Sequence, residues 1–312
     1  MRVTLRQLRY FKAVVDNGSF ARAAESVFVS QPALSLQVRE LETTLGWPLF
    51  KRDSHGVALT ALGREVHTQA LRVIDEALLL EALGRRFNEG PFSIELGIVS
   101  TLAPYLVAGL QDELGKIEER IDFTLHEATS RQLLDQLLGG HIDAAVISLP
   151  VGKLELTERE LFEDPLLLAG SPSRLAAFRN LADGPKAENL AMLDLGPLLV
   201  LSEGHCLGEQ LLGACGKNTP EGVQRNLESL GSLARLANTG AGLTLIPATA
   251  AAAEQAASPE LEFLRLADPE PKRKIGLVHR VAFQDQRWIK GLGDAAARAG
   301  KRLIKQSRPL VS

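Results

Sequence analysis

The sequence predicts a mixed fold: a small all-α head, one long connecting helix, and an α/β body. Three observations carry that reading. Within the first 45 residues, three short stretches repeat their apolar side chains at helical spacing. Residues 61–88 form a proline-free run with a narrow apolar stripe. From Phe92 onward, strand-like runs alternate with helical ones.

In the head, Leu5, Leu8, Phe11 and Val15 describe an amphipathic first helix that Asn17-Gly18 ends. Ser19 is placed to cap a second helix, whose Ala21, Ala23 and Ala24 allow close packing. Ser30 is an N-cap candidate for a third helix, with Pro32 in its first turn, where a missing N–H costs little. That helix carries Leu34, Leu36, Val38 and Leu41. Two short helices with a tight connection form a helix-turn-helix pattern, whose later helix enters the major groove by its N-terminal end. Here that end presents Ser30, Gln31, Pro32 and Ser35, followed by Gln37 and Arg39. Gln pairs bidentately with adenine, and Ser donates to or accepts from base edges. The same residues would also suit a solvated polar face.

Thr60 can cap the long helix. Its Leu62, Val66, Ala70, Val73, Ala77, Leu80 and Leu83 form a coiled-coil-like seam, which favours dimerisation over packing on its own domain. Beyond it come a strand at 92–100, a helix near 104–118, a strand at 121–128, a helix near 130–139 and a strand at 142–149. This βαβα series predicts a parallel sheet. A second series follows: strands at 198–201 and 223–227, a helix at 229–239 and a strand at 242–247. A further strand at 272–280 and a final helix at 285–305 complete it. Two Rossmann-like lobes follow from this, with hinges near 163–170 and 267–273 and ligands between them, at strand ends and helix N-termini.

A length of 312 residues fits two or three domains, and 45% hydrophobic with 23% charged residues is ordinary for a soluble globular protein. No apolar run approaches the ~20 residues of a membrane span. The N-terminus lacks the apolar core of a signal peptide, so a cytoplasmic protein is expected. The net charge of −3 divides unevenly: residues 1–72 carry ten Lys/Arg against six Asp/Glu, and the rest carry 25 against 32. A basic head on an acidic body suits a DNA-binding domain attached to a sensor or an enzyme. His and Asp show no metal spacing, and no cofactor is expected.

Cys206 and Cys215 are the only cysteines. In a reducing compartment a static structural disulfide is not expected. On a helix, nine steps of about 100° would put the two thiols on opposite faces, roughly 13 Å apart along the axis. A disulfide needs Cα atoms within about 7 Å, so such a pair could bond only if the segment unwinds. Two small buried apolar residues are the plainer alternative.

The run from Leu5 to Gly63, with "SFARAAE", "VSQPALSLQVRELE", "PLFKR" and "LTALG", resembles the N-terminal winged helix-turn-helix of LysR-type transcriptional regulators. The match covers residues 4–64 almost without a gap. It implies a β-wing at "LFKR…VALT", on which Lys51 and Arg52 hold phosphate or minor groove, and a dimerisation role for the long helix. Such charge contacts set affinity and salt dependence, not sequence choice. The resemblance also implies that the two lobes form the periplasmic-binding-protein-like regulatory domain of that family.

"LSEGHC" with a second cysteine nine positions on is similar to the sensor segment of the peroxide-responsive OxyR branch, as are "HEA" at 126–128, "GLTLIP" and "PEPKRKIGLVHR". The resemblance implies that Cys206 is the peroxidatic cysteine and Cys215 the resolving one. His205 and Arg273 are candidates for supplying positive charge to the thiolate. Thr101 and Ser130 lie where that branch places hydroxyls that orient peroxide and water, Ser130 matching better than Thr129. Gly208 departs from the branch, which usually has Arg there.

The expected organisation is a winged helix-turn-helix at 1–59, a linker and dimerisation helix at 60–89 and a regulatory domain at 90–312. Lobe I would comprise 90–164 and 268–312, and lobe II 165–267. The expected function is a homotetrameric transcription factor, not an enzyme, that senses hydrogen peroxide and controls oxidative-stress genes. Its partners would be double-stranded DNA and RNA polymerase. One alternative is a LysR-type regulator with a small organic inducer between the lobes. Another is a thiol peroxidase, against which stand the DNA-binding head and the lack of a dedicated peroxidase motif.

Overall fold

Local capping sets the limits of the head helices. The computed structural model describes residues 2–53, 56–88, 93–117, 121–179, 198–202, 224–283 and 287–311, in two units, Met1–Asn88 and Glu89–Ser312. Helix α1 (Leu5–Asn17) opens on a capping box: Gln7 N donates to Thr4 Oγ1 at 3.3 Å, and Thr4 N donates to Gln7 Oε1 at 3.0 Å. It ends at Gly18, whose φ of 60° suits a residue without a Cβ. Helix α2 (Phe20–Ser26) starts after Ser19, although the Ser19 side chain makes no capping hydrogen bond. Helix α3 (Gln31–Leu45) is capped by Ser30, whose Oγ accepts from Ala33 N at 3.4 Å.

Leu34, Val38 and Leu41 seat α3 in the head core, whereas Leu36 stays 55% exposed. Phe50 bridges the core, with ring centroids 5.2 Å from Phe11 and 5.5 Å from Phe20. It begins β1 (Phe50–Asp53), which pairs antiparallel with β2 (Gly56–Leu59) to form the wing. Helix α4 (Ala61–Asn88) follows, with Gly63 N donating to Thr60 Oγ1 at 2.9 Å. Its inward residues are Ala70, Ile74 and Leu78; Val73 and Leu80 remain 47% and 70% exposed. An apolar groove of about 540 Å³ runs between α1, α3 and α4, lined in part by Val3, Leu45, Leu62 and Val73.

Gly63 locks α4 to the wing. A Cβ there would overlap the Leu49 carbonyl oxygen, which also accepts from Thr60 N. Alanine favours a helix interior by about 1 kcal/mol, but overpacking against a fixed backbone atom costs about 1–3 kcal/mol. Gly63→Ala is therefore expected to lower the melting temperature of the head, as read by differential scanning calorimetry of the full chain.

In the second unit, β3 (Ser93–Val99), α5 (Ala103–Leu114), β4 (Asp122–Ala128), α6 (Ser130–Gly139) and β5 (Ala144–Leu149) form βαβ units. Their strands lie parallel in the order β5-β3-β4. Strand β6 (Leu156–Gly170) is long and changes partners along its length. Leu156–Pro165 pair antiparallel with the strand Lys272–Arg280, while Leu166–Gly170 pair with Thr244–Pro247 and Glu262–Leu264. Between these segments lie α7 (Pro172–Arg179), β7 (Leu199–Leu201), β8 (Gln224–Leu227) and α8 (Leu230–Asn238). Then come β9 (Thr244–Pro247), α9 (Ala248–Ala257), β10 (Glu262–Leu264), β11 (Lys272–Arg280) and α10 (Arg287–Ser307).

The two lobes are thus α/β, but the sheet is mixed and not parallel throughout, a correction to the expectation from alternation. Strand β11 lies between β5 and β6 and runs antiparallel to both. Alternation reports local βα units and is silent about a strand inserted from far along the chain. One lobe's core is built from Leu166, Leu168, Phe178, Leu199, Leu245 and Phe263, all at most 2% exposed.

Candidate functional site

The head presents a polar surface at the start of α3. Ser30, Gln31, Pro32 and Arg39 are exposed, and Ser35 and Gln37 are half-buried. Gln37 Nε2 donates to Glu40 Oε2 at 2.9 Å, and Gln7 Nε2 reaches the same oxygen at 3.4 Å, so Glu40 steers the Gln37 amide. Lys51 is exposed on β1. Arg52 pairs with Val57 through its backbone; its side chain lies outside the described residues.

Sequence reasoning missed two residues here. Glu42 Oε1 accepts from Leu49 N at 2.7 Å and from Phe50 N at 3.4 Å, which fixes the entry to the wing. Phe28 is 96% exposed in the turn before α3, at a φ of 54°. That left-handed conformation is unusual for a bulky side chain.

In the second unit, Val99 pairs with Ala128 across β3 and β4. Thr101 and Ser130 each lie two residues beyond those paired strand ends, so both sit at the carboxyl edge of adjacent parallel strands. Open α/β sheets bind ligands at that edge. Both are buried, at 3% and 4% exposure. Ser130 is the first residue of α6, after the Thr129 cap, and its buried Oγ has no hydrogen-bond partner among the described residues.

Arg273 reaches Thr101 from β11. Its Nη1 donates to Thr101 Oγ1 at 2.7 Å and its Nη2 to the Thr101 carbonyl at 3.4 Å. The other side of the guanidinium faces Asp164 of β6, the residue paired with Arg273 across the sheet. Nε lies 3.0 Å and Nη2 2.9 Å from Asp164 Oδ2. The positive charge proposed for Arg273 is therefore matched by a carboxylate at 0% exposure.

Asp164 also ties down α9. Thr249 N donates to its Oδ1 at 3.0 Å and Thr249 Oγ1 to its Oδ2 at 2.8 Å. The N-cap of α9 is Pro247, which has no side-chain acceptor. Asp164 thus supplies from a neighbouring strand both the capping oxygen and the negative charge that a helix N-terminus favours.

A second link joins α5 to α9. Tyr105 Oη donates to Glu254 Oε1 at 2.5 Å, and Arg235 Nη1 lies 3.9 Å from the other oxygen. Burial, reinforced by that hydrogen bond, pushes the Tyr105 phenol well above its ordinary pKa, so it stays a proton donor. Sequence reasoning missed Asp164, Thr249, Tyr105 and Glu254. The one available signal was an aspartate at the point where the charged first half of β6 gives way to its apolar second half.

Of the sequence-derived sensor residues, Thr101 and Arg273 are in contact, and Ser130 shares their sheet edge. Cys206, Cys215, His205 and Gly208 lie outside the described residues. Among the described residues, no three His, Cys, Asp or Glu side chains gather as a metal centre requires, and no helix is long and apolar enough to cross a membrane.

Comparison with known proteins accords with this layout. Residues 5–64 match the bacterial regulatory helix-turn-helix domain of the lysR family, and residues 92–298 match the LysR substrate binding domain. The chain is 34% identical to the DNA-binding transcriptional dual regulator OxyR of Escherichia coli, over 89% of this chain and 90% of that protein. Full-length OxyR of Pseudomonas aeruginosa, solved with a cysteine-to-aspartate substitution, is similar at 27% identity and a TM-score of 0.59, covering 94% of this chain and 99% of that one. The hydrogen-peroxide-bound cysteine-to-serine mutant of Corynebacterium glutamicum OxyR gives 25% identity and a TM-score of 0.60, over 99% and 96%. With both of its units matched, the chain belongs to the LysR family of DNA-binding transcriptional regulators.

Proposed function

We propose that this regulator senses hydrogen peroxide through Cys206 and Cys215. The observation that carries the reading is its 34% identity, across nearly the whole chain, to a protein whose relatives are called hydrogen peroxide-inducible genes activators. The Arg273–Thr101 contact at the sheet edge supports it.

In this reading the Cys206 thiolate attacks one oxygen of H2O2. The O–O bond breaks, and the departing oxygen takes a proton and leaves as water, with Cys206 now a sulfenic acid. The Cys215 thiol attacks that sulfur, a second water leaves, and a disulfide remains. Two electrons pass from the two thiols to one peroxide. The event is stoichiometric switching and not turnover, so the protein acts as a regulator and not as an enzyme.

The working form is a homotetramer in the cytoplasm that binds operator DNA through 1–59. It dimerises through 60–89, where exposed Val73 and Leu80 suit a partner helix, and engages RNA polymerase. The lobes are 90–164 with 268–312, and 165–267. DNA contact falls to Ser30, Gln31, Pro32, Ser35, Gln37 and Arg39, with phosphate held by Lys51 and Arg52. His205, Thr101, Ser130 and Arg273 surround the peroxide.

A second reading rests on Ser130, whose buried hydroxyl at a helix N-terminus, without a hydrogen-bond partner among the described residues, also suits the carboxylate of an organic inducer between the lobes. Thiol-alkylation mass mapping before and after one equivalent of H2O2 separates the two. Loss of both thiols with a linked Cys206–Cys215 peptide is expected. Thiols that remain alkylatable after peroxide would sink the sensor reading and favour the inducer.

A further inference from the structure

We propose that Asp164, steadied by Thr249, is a positioning residue for peroxide sensing: through Arg273 it fixes the Thr101 hydroxyl as a hydrogen-bond donor to the ligand. The proposal rests on the peroxide reading above and adds two residues to it.

Hydrogen-bond polarity carries the argument. A guanidinium has five donors and no acceptor. At the 2.7 Å contact between Arg273 Nη1 and Thr101 Oγ1, the threonine oxygen must therefore be the acceptor. One lone pair is thereby taken, and the hydroxyl proton, directed away from Arg273, is left to donate to a ligand. When a thiolate cleaves the O–O bond, negative charge develops on the departing oxygen. A donor already aimed at that oxygen stabilises the transition state more than the ground state.

That polarity lasts only while Arg273 keeps its pose, which Asp164 sets. Four donors converge on its carboxylate: Thr249 N, Thr249 Oγ1, Arg273 Nε and Arg273 Nη2. Asp164 and Arg273 are 0% and 2% exposed, so water does not compete for these bonds. Two anchors on separate elements, the α9 N-terminus and the β11 backbone, hold the carboxylate and the guanidinium in register.

Asp164→Asn offers one oxygen and an NH2 group to the same four donors, so at least one donor faces another donor. Thr249→Val removes the hydroxyl bond and leaves the Asp164–Arg273 pair charged on both sides. Thr249→Ser restores the hydroxyl.

The test compares two reactions of Cys206 in the full-length protein: oxidation by H2O2 and alkylation by iodoacetamide. Only the first has an oxygen leaving group for Thr101 to stabilise. Oxidation is expected to slow at least tenfold in Asp164→Asn and several-fold in Thr249→Val, and to recover in Thr249→Ser, with alkylation within twofold of the parent throughout. If Asp164→Asn does not fold, the two Thr249 variants decide. Oxidation within twofold of the parent in Thr249→Val overturns the proposal, as do oxidation and alkylation falling in parallel, which marks a structural role. A parent protein whose Cys206 alkylates but does not react with peroxide removes the sensor reading itself, and this proposal with it.

Discussion

A Cys206→Ser protein is expected to bind its operator as the untreated parent does and to show no change in footprint on adding peroxide. A Cys215→Ser protein still reacts but halts at the sulfenic acid. The reason is chemical. The thiolate is the form that attacks peroxide, and a cysteine has a usable thiolate fraction near neutral pH that its surroundings can raise. A serine hydroxyl has almost no alkoxide at that pH and no oxidation ladder to climb. Without Cys215, the sulfenic acid has no resolving thiol in this two-cysteine chain. It should be trapped by a dione probe, and excess peroxide should carry it on to the sulfinic acid. DNase footprints of the three proteins with and without one equivalent of H2O2, each checked by intact mass, make the comparison. A peroxide-dependent footprint that survives in Cys206→Ser would move the sensing elsewhere in the protein. A Cys215→Ser protein that switches fully would reduce the second cysteine to a bystander.

How much of this was legible in the sequence depends on how far apart the partners lie. Helix limits at Ser30 and Thr60 could be read because each cap is local, with Ala33 and with Gly63, whereas the equally local Thr4–Gln7 box went unread. Which face a helix buries was harder. The apolar list for α4 was read as a dimer seam; Ala70 from it packs inward while Val73 and Leu80 stay exposed, and Ile74 and Leu78, which the list lacked, join Ala70 in the head core. Strand β6 was read only as a hinge region. Its first half is rich in charge and its second half continuously apolar, so neither half shows a clean alternation. Helix α9 is so rich in alanine that it has no stripe to detect.

The site divides in the same way. Thr101, Ser130 and Arg273 came from motif resemblance. Their wiring did not, because Arg273 meets Asp164 across 109 positions and Thr101 across 172. A side chain's hydrogen-bond polarity is a property of the partner it meets, and no local pattern contains it.

Arg280→Met is expected to destabilise the second unit by about 3–5 kcal/mol, the usual consequence of removing one member of a buried charged network. Arg280 is 3% exposed at the end of β11. Its Nη1 donates to the carbonyls of Leu137 at 2.6 Å and Ile142 at 2.9 Å, and so braces the end of α6 and the turn into β5. Its Nη2 lies 3.8 Å from Asp143 Oδ1, and its guanidinium carbon lies 4.6 Å from the centre of the Phe283 ring. Asp143 in turn accepts from Glu95 N at 2.9 Å, which ties the network to β3. Methionine keeps much of the apolar stem, so packing loss is small, and the charge and the bonds to the two carbonyls are what disappear. Trp288 is fully buried, with its ring 6.0 Å from Phe283, and so reports on this corner through its fluorescence. Urea unfolding followed at that tryptophan should show the midpoint falling with little change in slope. Adding Asp143→Asn to Arg280→Met should recover part of the loss, because the buried carboxylate charge is then gone as well. A single substitution that costs less than about 1 kcal/mol would place Arg280 among the ion pairs of negligible net value, and the end of α6 would have to be held by Gly140 and its backbone bonds alone.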